Sequence, residues 1–368
     1  MTECIDLKLM NQADRITEIL RLKTQSQAPG GKLPSIRGLM ARHGGSLHSI
    51  NVALRRLESE GLLTTKKGSG IYVSLQKGVR FIELHRPQYP SAVLDIKEIS
   101  LANAIAQAGW KLLVTRHPLY GDDPDFQPNS KACAHVVMSA IFQASNSFYS
   151  QIAHQTAPIL VYGQSGGPLH LDYVTGDEHQ YMSLLVKHLR DLGHHRIAFL
   201  SNEHPTHVRD LRAEIFLDIA NLFDLAQPVV IDCGAEPGKS SLLQAYKGLK
   251  DHLAATQGRL KFTALITSSA KGIIGALRAL HEAGFKVPDD CSLASIGRDR
   301  ENAFLVPSIT EVGVDEESWG QEAVKILKHR FENPKGPPSG AKLPPKLSAR
   351  ESTAAPPKIR KPSSKTIV

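Results

Sequence analysis

The sequence predicts an α/β protein in which a small N-terminal winged helix-turn-helix precedes a two-lobed body with two parallel sheets. Two observations support this fold class. Three short amphipathic helices and a glycine-containing hairpin occupy the first 75 residues. From residue 81 onwards, strand-like and helix-like segments alternate, which is typical of parallel sheets covered by helices on both faces. The length of 368 residues is sufficient for several cores.

The first domain, residues 1–75, begins with a predicted helix over 13–25 that ends before a glycine-containing turn. Ser35 is placed to cap a second helix, and Ser46 to cap a third. The apolar residues of the third helix recur at helical spacing and predict a buried stripe. This stripe consists of Ile50, Ala53, Leu54 and Leu57.

A basic hairpin follows the third helix. Residues 62–65 and 71–73 are predicted strands, and Lys66, Lys67, Gly68 and Gly70 lie in the loop between them. A helix of this length fits the major groove of DNA, and a glycine loop allows the backbone to approach a phosphate. The candidate DNA-binding residues are Ser35, Arg37, Ser46, His48, Ser49, Asn51, Arg55, Lys66, Lys67, Gly68 and Gly70. The alternative is a winged domain that binds another protein.

The charge distribution favours DNA. Residues 1–74 carry 11 basic and 6 acidic side chains, and residues 334–368 carry 8 and 1, within a net charge of +8. The region between them is therefore mildly acidic. A basic head on such a body is typical of a protein whose head binds a polyanion. Residues 76–80 are predicted to be a connector, and 354–368 a basic disordered tail.

The segment LPSIRGLMARHGGSLHSINVALRRLESEGLLTTKKGSGIYV (33–73) resembles the DNA-binding domain of the GntR family of bacterial regulators. The resemblance implies that Arg37 contacts a phosphate or a base. Leu47 and Asn51 stand where the family has arginines, so the operator of better-known members is not transferred. We expect His48, Ser49 and Asn51 to contact bases, and Asn51 to favour adenine.

The second domain, residues 81–353, alternates between predicted strands and helices. Because about 270 residues exceed one open sheet, we expect two lobes with a ligand between them, at the carboxyl ends of the strands. Strands are predicted at 81–84, 110–114, 135–138, 158–162, 197–200, 229–232, 264–267 and 293–296. Helices are predicted at 96–108, 180–192, 209–222, 240–255, 270–284 and 318–332.

Segments 187–202, 263–299, 306–327 and 343–354 resemble the LacI-type regulatory domain, which has the periplasmic-binding-protein fold. Together with the head, the chain is similar in architecture to the arabinose-repressor type. The resemblance implies a cytoplasmic homodimer of the repressor type that binds operator DNA and a small sugar-like effector.

The same resemblance implies the effector-binding residues. Arg212 and Asp299 match the family's Arg and Asp, which clamp the hydroxyls of a sugar; Asp177 and Ser269 are further candidates. Three of these residues have a simpler alternative: a surface position for Arg212, a cap or turn for Asp299, and an N-cap for Asp177. Ser269 replaces a family Asn, and Arg298 a family Phe, so the effector need not be a common sugar.

Enzyme motifs are weak. Gly163–Gly167 matches G-x-S-x-G after a strand, but the residues that follow predict a loop and a strand rather than the helix of a nucleophile elbow. His204 and His207 have no accompanying ligand set, and the four cysteines are far apart, so no metal or cofactor is expected. No apolar run is long enough to span a membrane. The remaining alternative is a DNA-tethered enzyme with an α/β catalytic domain.

Overall fold

The computed structural model describes residues 12–27, 30–59, 62–66, 68–74, 80–88, 91–117, 129, 132–138, 157–163, 170–203, 207–236 and 239–357. The chain divides into two compact units. The first ends at Phe81 and also includes Gly109–Lys111, and the second contains the rest. Within the described ranges, no helix is both long enough and apolar enough to cross a membrane.

The first unit has the predicted winged helix-turn-helix elements. They are α1 (Gln12–Ser26), α2 (Ile36–His43), α3 (Leu47–Ser59), β1 (Leu63–Lys66) and β2 (Gly70–Val73). The two strands pair in antiparallel fashion. Side chains from all three helices meet in one core, in which Ile16, Leu39, Ile50 and Leu57 are fully buried. The apolar stripe predicted for α3 is therefore the surface that packs inward.

Both predicted caps are present. The Ser35 hydroxyl accepts a hydrogen bond from the Gly38 amide at 3.3 Å, and the Ser46 hydroxyl accepts one from the Ser49 amide at 3.1 Å. Caps of this type stabilise a helix by about 1 kcal/mol each. Gly44 ends α2 with φ +65°, a left-handed conformation that suits glycine.

The hairpin has a neighbour that the sequence did not predict. The Leu33 amide donates to the Ile71 carbonyl at 2.8 Å, and the Val73 amide donates to the Gly31 carbonyl at 2.8 Å. The segment between α1 and α2 therefore pairs with β2. Its adjacent glycines predict only a turn, but they do not prevent local strand pairing.

The second unit contains two six-stranded sheets. Lobe 1 has the strand order β13-β7-β6-β5-β3-β4, and its pairs from β13 to β3 are parallel. Its elements are β3 (Phe81–Pro87), α4 (Ala92–Gln107), β4 (Lys111–His117), β5 (Ala134–Met138), β6 (Ile159–Tyr162), β7 (Asp172–Gly176), α9 (Glu316–Glu332) and β13 (Gly340–Leu343).

Lobe 2 has the strand order β14-β12-β11-β10-β8-β9, which is parallel except for the edge strand β14. Its helices cover both faces, so every residue of β8, β10 and β11 is buried. Its elements are α5 (Glu178–Asp191), β8 (Ile197–Ser201), α6 (His207–Leu222), β9 (Val229–Asp232), α7 (Ser241–Ala255), β10 (Ala264–Thr267), α8 (Gly272–Glu282), β11 (Ser292–Ile296), β12 (Thr310–Gly313) and β14 (Lys346–Ser348).

The chain crosses between the lobes three times: after β7, after β12 and after β13. The second crossing leads into α9, which packs on α4 of lobe 1. The Gly320 amide donates to the Ser100 hydroxyl at 2.9 Å, and a Cβ at Gly320 would lie 2.1 Å from the Ser100 carbonyl oxygen. The two helices meet this closely because Gly320 has no side chain.

The predicted fold class of two mainly parallel sheets behind a winged helix is confirmed. Strands β12, β13 and β14 were missed because polar residues and glycines interrupt their apolar pattern. The predicted tail begins too early: the Ala354 amide donates to the Ser292 hydroxyl at 3.0 Å, and its carbonyl accepts from His194 at 2.8 Å. Residues 75–79 and 358–368 lie outside the described part of the chain.

Candidate functional site

The exposed face of α3 is polar. His48, Asn51 and Arg55 recur at helical spacing on the side away from Ile50 and Leu57, which are fully buried. His48 and Arg55 are exposed, and Asn51 is half-buried. Within the described residues, Arg55 has no hydrogen bond or ion pair. These three side chains are therefore available to a ligand along α3.

Two other polar residues of α3 are held by α1. Arg56 forms an ion pair with Asp14 that connects α3 to α1. The Ser49 hydroxyl lies 2.9 Å from the Ser46 hydroxyl and 3.2 Å from Oε1 of Gln12. We expected Ser49 to contact a base, but its hydroxyl is already engaged at the start of α3, which favours a positioning role.

The start of α2 presents Ser35 and Arg37, which are both exposed. The Ser35 hydroxyl is used by the cap, whereas Arg37 has no hydrogen bond or ion pair within the described residues. The first amides of a helix and an unengaged guanidinium together favour an anion such as a phosphate. The geometry is therefore consistent with the predicted role of Arg37.

The loop of the hairpin needs its glycines. Gly68 has φ +76° and Gly70 has φ +130°, and a Cβ at Gly70 would lie 2.9 Å from Cε of Lys32. The Ser69 amide closes the turn by donating to the Lys66 carbonyl at 2.9 Å. Lys67 lies outside the described residues.

Tyr72 organises the positive charge beside this loop. The ammonium groups of Lys32 and Lys66 lie 5.7 Å and 5.6 Å from the centre of its ring. A hydrogen bond with Ser69 and the nearby lysines lower the pKa of the Tyr72 hydroxyl. The sequence predicted Lys66 but not Lys32, which is separated from the hairpin by α2 and α3.

In lobe 2, a second polar cluster lies at the carboxyl ends of β8 and β10. Asn202 is fully buried, and its amide nitrogen donates to the Ser269 hydroxyl at 2.7 Å. Its side-chain oxygen accepts from the amide and hydroxyl of Ser268, at 3.1 Å and 3.0 Å. Asn202 therefore fixes the loop that contains the predicted residue Ser269.

Arg212 lies against the same loop. Its Nη1 donates to the Ser268 carbonyl at 2.6 Å, while Nε and Nη2 donate to the two oxygens of Glu178 at 2.6 Å and 3.0 Å. Burial alone would lower the pKa of Arg212, but the charge and hydrogen bonds of Glu178 raise it. A guanidinium has five N–H donors, so two remain for a ligand.

Asp299 and Asp177 both act as caps. The Asp299 carboxylate accepts from the Glu301 amide at 3.0 Å, and its other oxygen lies 2.9 Å from the Lys271 ammonium. Asp177 caps α5 by accepting from the Gln180 amide at 3.1 Å. The simpler roles considered for both residues are therefore present, and ligand contact by either remains a prediction.

The sequence missed the lobe 1 side of this cluster. Lys97 of α4 is 8% exposed, and its ammonium lies 4.2 Å from the centre of the Trp319 ring. Burial lowers the pKa of Lys97 to about 8. The positive charge of Arg212 lowers this pKa further, whereas the negative charge of Glu178 on lobe 2 raises it. Lys97, Glu178 and Arg212 thus form one electrostatic cluster between the lobes.

Glu203 adds a second carboxylate to this cluster. Burial raises its pKa, while hydrogen bonding by Ser269 and the charge of Arg212 act in the opposite direction. Glu203 comes directly after Asn202 at the end of β8. The sequence alone predicts an ordinary loop residue at this position. Only the tertiary structure places it near Arg212.

The weak enzyme motifs acquire no support from the geometry. Of the G-x-S-x-G segment, only Gly163 is described, and the next described element is strand β7 rather than a helix. His204 and the side chain of His207 lie outside the described residues.

Two family models match the chain. Residues 13–73 match the model of bacterial regulatory proteins of the gntR family, and residues 186–353 match that of the periplasmic binding protein-like domain. Residues 13–73 therefore form a gntR-family domain, and residues 186–353 form a periplasmic-binding-protein-like domain. Both resemblances found in the sequence are therefore confirmed. The gntR-family domain contains the α3 face and the hairpin, and the second match contains Arg212, Ser269 and Asp299.

Curated relatives are named as regulators. The HTH-type transcriptional repressor MelR of Bacillus subtilis is 32% identical over 180 residues, which are 45% of this chain and 48% of MelR. The HTH-type transcriptional regulator MalR of Streptomyces coelicolor is 27% identical over 213 residues, which are 57% of this chain and 60% of MalR. The chain thus spans about half of the length of these relatives.

Solved structures share the fold. A LacI family regulator, CCPA from Weissella paramesenteroides with bound sucrose, has a TM-score of 0.63 and 19% identity, covering 75% of this chain and 99% of that one. The lac repressor dimer bound to operator and the anti-inducer ONPF has a TM-score of 0.62 and 15% identity, covering 76% and 96%. At these identities the similarity establishes the periplasmic-binding-protein-like fold.

Proposed function

We propose that the chain is a bacterial transcriptional regulator, of the repressor type, whose affinity for operator DNA is modulated by a small sugar-like effector. The observation that carries this proposal is the combination of a gntR-family domain with a periplasmic-binding-protein-like domain in one chain. The relatives are named as regulators, and no motif for an enzyme is supported. Such a protein acts on DNA in the cytoplasm and needs no catalytic residues.

The DNA contacts that we propose follow from which polar residues are available. His48 and Asn51 face outward from α3 and are placed to contact base edges, and a side-chain amide such as that of Asn51 pairs well with adenine. Arg37, Arg55 and Lys66 supply charge for phosphates on either side. The glycines at 68 and 70 allow the hairpin backbone to approach the DNA.

Adjacent arginines on α3 provide a matched test. Arg55→Ala is expected to weaken operator binding about tenfold. The slope of log affinity against log salt concentration should also fall by about one, which corresponds to one lost phosphate contact. Arg56→Ala removes the same charge from a side chain already paired with Asp14, so it should change binding less. Operator sequences are first selected from a random pool, and affinities are then measured by fluorescence anisotropy at several salt concentrations. Equal losses for the two variants would contradict the assignment.

The effector site that we propose is the cluster between the lobes. Arg212 has two N–H donors left, Glu203 and Asp299 supply acceptors, and Lys97 and Trp319 supply a cation and an aromatic face from lobe 1. Positive and negative groups are mixed, which suits a ligand with several hydroxyls more than a strongly charged one. Bound sucrose, glucose and ribose in structures with the same fold support this class of ligand.

Effector binding would act by population shift. A ligand that contacts Lys97 and Arg212 favours the closed arrangement of the lobes, and closure changes operator affinity by a coupling energy of about 1–3 kcal/mol. The proposal is tested by a thermal-shift screen of sugars, sugar acids and sugar phosphates, followed by operator binding with each hit. If hits raise the melting temperature without changing operator affinity, the lobes bind a ligand but do not regulate DNA binding.

A homodimer is proposed because two heads on a near-palindromic site double the contacts. Phe304 and Val306, two neighbouring side chains of lobe 2, are 86% and 94% exposed, which suits a surface buried on assembly. Phe304→Asp is expected to shift the chain from dimer to monomer in sedimentation equilibrium. Leu222→Asp, at a side chain 76% exposed on α6, is the control that should leave the dimer intact. Dimers in both variants would exclude this surface.

A further inference from the structure

Lobe 1 contains a buried polar cluster that the proposed function does not use. It lies on β3, where Arg86 forms ion pairs with Asp95 and Glu98 of α4. Because side chains alternate along a strand, Glu83 and His85 point to the opposite face of the sheet. Both are at most 3% exposed. Strands of a parallel sheet are usually apolar on both faces, so this pair is unexpected.

His135 of β5 joins the pair, since it lies beside Glu83 in the strand register and is 1% exposed. Nε2 of His85 lies 3.0 Å from Nδ1 of His135. Oε2 of Glu83 lies 3.3 Å from Nδ1 of His135 and 3.7 Å from Nε2 of His85. Two ring nitrogens and one carboxylate oxygen therefore surround a single point.

These distances match a metal site. Zinc binds imidazole nitrogen and carboxylate oxygen at about 2.0–2.2 Å, so the ligand atoms of a tetrahedral site are about 3.3–3.6 Å apart. The three separations in the cluster lie around this value. Two histidines and one glutamate form one of the recurrent zinc ligand sets, in which the fourth position is open to water or another ligand.

The groups around the cluster orient its ligand atoms. Thr115 donates to Oε1 of Glu83 at 2.7 Å, and the Asn129 amide donates to Oε2 at 2.9 Å. Nδ1 of His85 lies 3.0 Å from Nε2 of His117, so the nitrogen of His85 that does not face Glu83 is also engaged. Outer partners of this kind fix the orientation and tautomer of metal ligands.

We propose that Glu83, His85 and His135 form a zinc-binding site in lobe 1. A bound ion would link β3 to β5 and thereby stabilise lobe 1, separately from the effector cluster at Arg212. The competing explanation is a chain of proton-sharing hydrogen bonds through the same atoms. It is chemically possible because a neutral imidazole donates through one nitrogen and accepts through the other.

The experiment uses the full-length chain without an affinity tag, stripped with a chelator and then incubated with zinc. After desalting, elemental analysis is expected to find about one zinc per chain, and zinc should raise the melting temperature of the stripped protein. Glu83→Gln and His135→Gln are expected to lose this zinc. His252→Gln, at a partly buried histidine of lobe 2, and Cys133→Ser, two residues before His135, are controls that should keep it.

A measurement on the unsubstituted chain keeps the test valid if the glutamine variants fail to fold. X-ray absorption at the zinc edge is expected to show only nitrogen and oxygen ligands with imidazole scattering, and sulfur ligands would overturn the proposal. Retention of zinc by folded Glu83→Gln and His135→Gln would place the ion elsewhere and also overturn it. If the parent chain retains no zinc, the cluster is a hydrogen-bonded histidine chain and the proposal is wrong.

Discussion

Replacing Arg212 with alanine is expected to lower the free energy of unfolding of the second unit by about 3–5 kcal/mol. The substitution leaves Glu178, whose side chain is 15% exposed, without the two hydrogen bonds that compensate its burial. It also leaves the Ser268 carbonyl without the Nη1 donor. A single alanine at an ordinary half-buried arginine would cost much less, because no charge would remain buried.

The matched control removes both charges. The double variant Arg212→Met with Glu178→Leu fills a similar volume without burying an ion, so it should recover most of the lost stability. Urea unfolding is measured for the parent, for Arg212→Met, for Glu178→Leu and for the double variant. The four free energies of unfolding give the coupling between the two side chains. Coupling below about 0.5 kcal/mol would show that water screens the pair and that this account is wrong.

The same series separates stability from function. At temperatures where both variants are folded, Arg212→Ala and the double variant should bind operator DNA like the parent but no longer respond to the effector. A double variant that regains stability and also responds to the effector would remove Arg212 from the proposed effector site. A loss of operator binding in both would instead indicate that the cluster maintains the DNA-binding form.

Arg212 could be singled out from the sequence, whereas its partner could not. The motif around Arg212 implied a cleft residue, but Glu178 is the first residue of α5, where an acidic side chain is common for helix-capping reasons alone. The sequence therefore gave no reason to pair residues 34 positions apart. The same limit applies to Lys97, since a lysine within a helical pattern normally predicts a solvent-exposed face.

Strands were predicted well where the sequence is a continuous apolar run. Strands β8, β10 and β11 of lobe 2 have such runs, so their predicted and observed limits differ by one residue at most. Strand β12 is equally buried, but its threonine and glutamate interrupt the apolar run, and it was missed. The short edge strands β13 and β14 lack such a run. In β3, Glu83 and His85 interrupt the apolar pattern, so the full length of this strand was not predicted. Their closeness to His135 depends on the pairing of β3 with β5, which are about 50 residues apart in the chain.

The DNA-binding head shows a similar division. Ser35 and Ser46 were predicted as caps because capping depends on residues close in sequence. The engagement of Ser49 and Arg56 depends on where α1 packs, which local periodicity does not specify. Arg55 and Arg56 are adjacent and chemically identical, and only the position of Asp14 distinguishes them.

Lys97→Met is expected to stabilise the second unit while abolishing the response to the effector. The pKa of Lys97 is about 8 in the folded chain and its ordinary value is 10.5, so burying its charge costs at most about 3 kcal/mol at pH 7. Methionine fills a similar space without the charge and keeps contact with the Trp319 ring. A gain of about 1–3 kcal/mol is therefore expected in urea unfolding at pH 7.

The pH dependence identifies the cause of this gain. Between about pH 8 and pH 10.5 the unfolded chain binds more protons at Lys97 than the folded chain, so the parent becomes relatively more stable as the pH rises. The difference between Lys97→Met and the parent should be full below about pH 8 and nearly absent at pH 10.5. A constant difference across this range would mean that methionine stabilises by packing alone. A less stable variant would show that the attraction of the ammonium to the Trp319 ring and to the charge of Glu178 outweighs its desolvation.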